Sequence, residues 1–239
     1  MKTKHQITLT PEQIGEVLAP IISVVMSMDS GRAQYWIGHK KKLAREARKI
    51  LVGADGEDDV LQDWHSFYHS LGIKCDLSGV QIPDDPGGFD RVIIVTPGIT
   101  PQTALDLCQK NFKCWKWTDK NLNQITTSDR TTKNGPYAIR IRNRVEADEE
   151  LKNISANQLK EQRIPGITLE ERLIYELKYF KETNKHLDLY NWTLCAGSRY
   201  GDGRVPSVSW DSCYGGMIVD WDGAGSSPGS LRARQAVSI

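Results

Sequence analysis

The C-terminal quarter of the chain contains two segments in which apolar and polar residues alternate with a period of two, Val205–Asp211 and Met217–Asp222. This alternation is typical of half-buried β-strands, because successive side chains of a strand point to opposite faces of a sheet. We predict that the buried face consists of Pro206, Val208, Trp210, Met217, Val219 and Trp221. We predict that the exposed face consists of Ser207, Ser209, Asp211, Ile218, Asp220 and Asp222. The link Ser212–Gly216 ends in two glycines, which predicts a hairpin turn between the strands.

The first 80 residues show helical periodicity instead. Thr10, followed by Pro11 and Gln13, has the arrangement of an N-cap with a capping box and predicts the start of a helix. Apolar residues at helical spacing predict two further helices, at about residues 33–51 and 58–71. Residues 1–79 are therefore predicted to form a small helical accessory domain. Residues 80–89, rich in Pro, Gly and Asp, are predicted to be a linker.

Residues 90–239 combine strand and helix patterns. Thr168 and Glu171 form a second capping box, which opens a helix predicted over Leu169–Glu182. Further strands are predicted at residues 92–95, 137–142, 192–195 and 231–237. A strand, helices and then a run of antiparallel strands indicate an α+β domain.

Composition sets one part of this domain apart. The chain has 239 residues, of which 26% are charged and 39% hydrophobic, the values of an ordinary globular protein. Residues 196–230 nevertheless contain no Lys, Glu or Gln. One explanation is that Gly, Ser and Asp dominate loops for conformational reasons.

A second explanation comes from a resemblance. The spacing GSRY-x-D-G-x-VP-x-V-x-W, followed by V-x-W and by LR-x-R, resembles the variable region of diversity-generating retroelement target proteins. The resemblance covers about residues 137–239. It implies a C-type-lectin-like domain over residues 90–239, of the branch that resembles formylglycine-generating enzymes, with a variable region at about 196–230.

In that family, a reverse transcriptase copies a template RNA and misreads its adenines. Asn codons are converted to codons for Tyr, Asp, Ser, Gly, Arg, Cys, His, Ile and others, but never to Lys, Glu, Gln, Met or Trp. All strand residues that the alternation predicts to be exposed fall within this reachable set, whereas Trp210, Met217 and Trp221 on the predicted buried face fall outside it. The resemblance therefore implies a ligand-binding set of thirteen residues: Tyr200, Asp202, Arg204, Ser207, Ser209, Asp211, Ser212, Cys213, Tyr214, Ile218, Asp220, Asp222 and Gly223.

The same resemblance implies a framework beneath this set, formed by Trp210, Trp221, Arg232 and Arg234. It further implies that such an arginine ties the variable loops through hydrogen bonds to carbonyl groups. The expected function is non-enzymatic binding of a protein or other macromolecular ligand, without catalytic residues, metal or cofactor. The helical domain is expected to attach the protein to a second partner.

Possible metal sites do not alter this expectation. His65 and His69 are four residues apart on a predicted helix, but Ser66 stands where the HExxH motif has Glu. Asp211, Asp220 and Asp222 could lie near one another, but a calcium ion takes about six oxygen ligands. We therefore predict no metal site.

Two rival functions stay open. Cys195 and Cys213 could act as the cysteine pair of an oxidative enzyme of the formylglycine-generating type. A basic helix at residues 32–49 could contact nucleic acid. Its cationic residues are Lys40, Lys41, Lys42, Arg45, Arg48 and Lys49.

The remaining features indicate the compartment. The five cysteines are an odd number without close pairing, which favours reduced thiols. The chain has no apolar run of about 18 residues and no signal-peptide core at its start. The formal net charge of +1 gives no overall attraction to nucleic acid or to a membrane. We expect a cytoplasmic protein without a membrane partner.

Overall fold

The computed structural model describes residues 10–40, 43, 47 and 57–239. The chain divides into two compact units, Met1–Gly56 and Glu57–Ile239. In the first unit, helix α1 spans Pro11–Met26 and helix α2 spans Ser30–Gly38. The predicted capping box is present, since Thr10 Oγ1 accepts from the Gln13 backbone N–H and Gln13 accepts from that of Thr10.

Apolar side chains of α1 are exposed along its whole length, and none of its residues is buried. Within the described ranges, no single helix has the length and apolar character needed to cross a membrane. Helices α1 and α2 taken together have that length and apolar character, with a bend of 118° between them. The predicted helix at about residues 33–51 lies partly outside the described residues.

The second unit contains the remaining elements. Its helices are α3 (Glu57–Ser70), α4 (Pro101–Gln109), α5 (Leu122–Ile125), α6 (Ala156–Glu161) and α7 (Leu169–Thr183). Its strands are β1 (Arg91–Val95), β2 (Cys114–Lys116), β3 (Thr126–Ser128), β4 (Tyr137–Ile141), β5 (Trp192–Leu194), β6 (Ser198–Tyr200), β7 (Val205–Asp211), β8 (Gly216–Asp222) and β9 (Leu231–Ala233).

These strands form three sheets. The largest has the order β2-β8-β7-β5-β9, and β1 pairs with β4 and β3 with β6. The β5–β7 and β7–β8 pairs are antiparallel, whereas β2 and β9 run parallel to their neighbours β8 and β5. The unit therefore has an α+β fold with a mixed main sheet, and the predicted run of antiparallel closing strands is wrong only for β9, which runs parallel to β5.

The division into units differs from the predicted one. Helix α3, assigned by its periodicity to the accessory domain, contributes Trp64, Phe67 and Tyr68 to the core of the second unit. Tyr68 Oη donates a hydrogen bond of 2.6 Å to the carbonyl of Ile94 in β1. Periodicity defines an apolar helix face but not the surface that covers it, so the boundary falls at Gly56 rather than near residue 79.

The predicted linker also belongs to this unit. Val80, Ile82 and Phe89 are buried, and the first two lie in the main core. The Gly and Pro residues of this segment shape a loop that passes over the core, because three apolar side chains anchor it there.

Helix α7 lies at the centre of the unit. Its predicted capping box is confirmed, since Thr168 Oγ1 accepts from Glu171 N–H and Glu171 accepts from Thr168 N–H at 2.7 Å. Asn184, in the left-handed conformation at φ 55°, ends the helix as predicted. Leu173, Ile174 and Leu177 are buried in the main core.

Candidate functional site

The β7–β8 hairpin has the predicted register. Among the residues predicted to form the buried face, Val208 pairs with Val219, Pro206 with Trp221 and Trp210 with Met217. On the opposite face, Ser207 pairs with Asp220 and Ser209 with Ile218. The alternation of the sequence therefore identified the two faces of the hairpin correctly.

Burial on the apolar face is complete only at its centre. Val208, Met217 and Val219 are fully buried in the main core, and Trp210 is half-buried against it. Trp221 is 41% exposed, so the prediction that it points into the core is wrong. The residue lies near the open end of the hairpin, and its ring contacts Arg204 and Trp117 instead.

The opposite face of the hairpin, here called the polar face, consists of Ser207, Ser209, Ile218, Asp220 and Asp222. Ser207 and Ser209 are 1% and 4% exposed, so the prediction that this face is openly exposed is wrong for β7. Ile218, Asp220 and Asp222 on β8 are half-buried.

The burial of the two serines has a local cause. Strand β7 is an interior strand between β8 and β5. Beside it a second apolar cluster, formed by Ala156, Leu194, Val205 and Leu231, covers the β5 side of the polar face. Alternation distinguishes two faces but does not show how much of each a later segment covers.

An open pocket of about 170 Å³ lies on the polar face, bordered by Ser207, Asp220 and Asp222 together with Trp192 and Pro228. Burial raises the pKa of the Asp222 carboxyl, and the charge of Asp220 adds to the rise. The Ser207 hydroxyl favours the charged form of Asp222 and so opposes the rise.

A second group of the predicted ligand-binding residues lies on the Trp221 side of the sheet. The Arg204 guanidinium is 3.9 Å from the ring centre of Trp221 and 4.4 Å from that of Trp117, and it forms an ion pair of 2.6 Å with Asp202. Tyr200 is 3% exposed and packs edge-to-face on Trp117. Tyr200 therefore supports this surface from beneath, whereas Asp202 lies on it.

A third group forms the hairpin tip. The Asp211 carboxylate accepts hydrogen bonds from the backbone N–H groups of Cys213 and Tyr214, at 2.7 and 2.8 Å. Gly215 has φ 66°, which glycine adopts readily, and completes the turn. Ser212 and Cys213 are exposed there. The thirteen predicted residues therefore occupy three neighbouring regions rather than one patch, with Gly223 at the end of β8.

The predicted framework arginines differ in their surroundings. Arg234 is fully buried and donates hydrogen bonds to the carbonyls of Arg144 and Val145 at 2.9 and 2.7 Å. The predicted tie to carbonyls thus exists, but its acceptors lie outside the variable region. The reason is that Arg234 follows β9, which β5 separates from β7. Arg232 pairs with Glu149, whose side chain is mostly exposed.

Arg234 belongs to a buried ion network, and it is the only member of that network predicted from the sequence. Its members are Arg172, Glu176, Asp188 and Arg234, and all four are buried. The Asp188 carboxylate accepts from Arg172 at 2.8 Å and from Arg234 at 2.6 Å, and Arg172 also pairs with Glu176. The sequence gives no signal for this burial, since an Arg–Glu pair four residues apart is also common on exposed helix faces.

The residues considered for a metal site and for a reactive cysteine pair lie in separate parts of the unit. His65 and His69 are exposed on α3, and the part of the chain that the structure describes contains no cluster of three or more His, Cys, Asp or Glu side chains able to hold a metal ion. Cys195 is buried in the main core, where burial raises the pKa of its thiol, whereas Cys213 is exposed at the hairpin tip. This arrangement disfavours a reactive Cys195 thiolate.

The basic helix is only partly described. Arg32 and Lys40 are exposed. The other cationic residues of the predicted run, Lys41, Lys42, Arg45, Arg48 and Lys49, lie outside the described residues.

Comparisons of the chain with protein-family models, with curated proteins and with solved structures found no match.

Proposed function

We propose that this protein is a non-enzymatic ligand-binding protein whose C-terminal surface is diversified by a retroelement through adenine mutagenesis. The proposal includes a C-type-lectin-like identity for the domain at residues 90–239 and a protein or other macromolecule as ligand. In this account the helical unit at the N-terminus attaches the domain to a second partner.

The observation that carries the proposal is the register of the β7–β8 hairpin. Cross-strand pairing places Val208, Val219 and Met217 together in the core and places Asp220 and Ile218 on the other face. Met and Trp, which adenine mutagenesis of Asn codons cannot produce, occur in β7 and β8 only on the Trp221 side of the hairpin. The three residues of these strands that the mutagenesis cannot produce, Trp210, Met217 and Trp221, thus all point away from the polar face.

The energetics of such a surface favour variation. Replacing an exposed side chain usually changes stability by about 0.5 kcal/mol or less, whereas truncating a large buried side chain costs about 2–5 kcal/mol. The exposed hairpin tip and the half-buried positions Ile218, Asp220 and Asp222 of β8 can therefore vary without unfolding, whereas the buried Ser207 and Ser209 of β7 tolerate less variation.

Burial narrows the surface that would contact a ligand. Tyr200 and Ser209 are buried and act as support for the surface, whereas Ser207, which is also buried, borders the pocket on the polar face. The accessible members of the set are Asp202, Arg204, Asp211, Ser212, Cys213, Tyr214, Ile218, Asp220, Asp222 and Gly223. Tyr and Arg among them are the side chains that most often anchor protein partners.

The proposal is tested at the coding locus. We expect a neighbouring reverse-transcriptase gene and a near-copy of the sequence that encodes about residues 196–230. The two copies should differ only at positions where the template copy has adenine. A complete flanking locus that contains neither element would contradict the proposal.

A further inference from the structure

The pocket on the polar face combines two carboxylates with an apolar wall. Asp220 and Asp222 are two residues apart on β8, so both side chains lie on the same face of the strand. Neither forms an ion pair with a cationic side chain in the ranges that the structure describes. Trp192 of β5 and Pro228 of the loop between β8 and β9 border the pocket on its apolar side.

Ser207 supplies an independent observation. The residue is almost completely buried, it lines the pocket, and its Oγ atom has no hydrogen-bond partner among the described residues. It faces the Asp222 carboxyl without forming a full hydrogen bond to it. Because an unpaired buried hydroxyl is costly, a donor group placed between Ser207 and Asp222 would stabilise both.

The size and chemistry of the pocket limit its occupant. A cavity of about 150 Å³ accommodates a benzene ring, so a pocket of about 170 Å³ is large enough for a cationic head group with part of its stem. Hydroxyl and carboxylate oxygens accept hydrogen bonds from N–H groups, and the carboxylates supply the opposite charge. A bound metal ion fits less well, because the described residues provide no third acidic, His or Cys ligand here.

We propose that this pocket binds a cationic N–H donor group at the end of an apolar stem, namely a lysine or arginine side chain of a protein partner. The stem would lie along Trp192, and the head group would donate to Ser207, Asp220 and Asp222. The inference rests on the proposed ligand-binding function and narrows the partner to one that presents such a side chain.

The test uses the full chain and four small probes. They are the Nα-acetyl N-methylamides of lysine, arginine and norleucine, together with putrescine as a free amine. Calorimetry measures affinity, and amide chemical shifts of Ser207, Asp220 and Asp222 locate binding. We expect the lysine or arginine amide to bind and to shift these amides, and the uncharged norleucine amide to leave them unchanged.

Variants then test the contacts. Asp220→Asn and Asp222→Asn should each weaken binding roughly tenfold, the effect of losing a hydrogen bond to a charged group. Ser207→Ala should weaken it severalfold. The control Asp119→Asn removes the same charge from an exposed residue of the same unit and should change affinity less than twofold. Thermal unfolding shows whether each variant is folded. One folded aspartate variant is sufficient for the affinity comparison with the wild-type protein.

Three results would overturn the inference. The first is that neither cationic amide binds. The second is that Asp119→Asn weakens binding as much as Asp222→Asn does. The third is that putrescine binds and the two cationic amides do not, which would make the occupant a free small amine. Each result leaves the proposed function intact if the coding locus carries the template copy. A locus without that copy removes the retroelement proposal independently of the probe titrations.

Discussion

Asp188 and Arg234 form an ion pair of 2.6 Å in which both side chains are buried. The pair joins the segment that follows helix α7 to the end of the chain, and Arg234 also donates to Thr193 on β5 at 3.0 Å. The β5–β9 edge of the main sheet is therefore held by a polar network as well as by an apolar core.

This network predicts a large effect of Arg234→Met. Removal of one partner leaves Asp188 buried with a single arginine, and breaking a buried pair in this way typically costs about 3–5 kcal/mol. The matched control is Arg232→Met, two residues earlier, in β9, which loses a contact to the mostly exposed Glu149 and should cost about 1 kcal/mol or less. Urea denaturation of the two variants measures both values, and equal losses would contradict the assigned role of Arg234.

Two serines of the predicted ligand-binding set should respond differently to the same substitution. Ser209→Arg places a long cation at a buried position of β7, whereas Ser212→Arg places it at the exposed hairpin tip. We expect Ser209→Arg to destabilise the protein by more than about 2 kcal/mol and Ser212→Arg by about 0.5 kcal/mol or less. Similar unfolding midpoints for both variants would show that the polar face is open, as the sequence alone had predicted.

Two tryptophans should also differ. Trp64→Ala removes a fully buried ring from the core and should cost about 3–5 kcal/mol. Trp221→Ala removes a partly exposed ring whose main contacts are Arg204 and Trp117, and we expect a loss of about 1–2 kcal/mol. Denaturation curves give the comparison, and a larger loss in Trp221→Ala than in Trp64→Ala would place Trp221 in the core after all.

The raised pKa of the buried Glu170 carboxyl predicts that the stability of the protein depends on pH. Burial, and then the charge of Glu171, raises the pKa of Glu170 from 4.5 to about 7. The folded state therefore binds more protons than the unfolded state between about pH 4.5 and 7. The stabilising contribution of protonated Glu170 is fully present below that window and is lost as the pH rises through it, by up to about 3 kcal/mol.

Glu170→Gln should remove this contribution to the pH dependence. The free energy of unfolding is measured in urea at pH 5 and pH 8, and the wild-type protein should lose more stability over this interval than the variant. The control Glu161→Gln changes an exposed glutamate and should follow the wild-type protein. If Glu170→Gln also follows the wild-type protein, the carboxyl of Glu170 has an ordinary pKa.

Local features of the fold were predictable from the sequence. The capping boxes at Thr10 and Thr168 and the pairing of β7 with β8 depend on residues close together in the chain, and they are present. The cover of the polar face was not predictable, because Leu194 and Leu231 reach it from strands on the far side of β7. The same limit explains α3, whose apolar face was recognised but whose partner, β1, lies more than 20 residues further along the chain.

The candidate site likewise combines features that are predictable from neighbouring residues with features that depend on distant parts of the chain. Alternation distinguished Ser207 and Asp220 from Val208 and Val219, since that distinction depends only on side-chain direction. It could not show that Arg204 and Tyr200 gather around Trp117, which lies more than 80 residues earlier in the chain. The buried state of Arg172 and Asp188 likewise depends on contacts between distant segments.

The proposed diversification is tested most directly by deep sequencing of codons 192–239 in a cell population that expresses the retroelement reverse transcriptase. The account predicts substitutions concentrated in the codons of the thirteen predicted residues, at positions where the template has adenine. It predicts unchanged codons for Val208, Trp210, Met217, Val219 and Trp221. Substitutions spread evenly over the region, or no substitutions beyond those of a culture lacking the enzyme, would contradict the account.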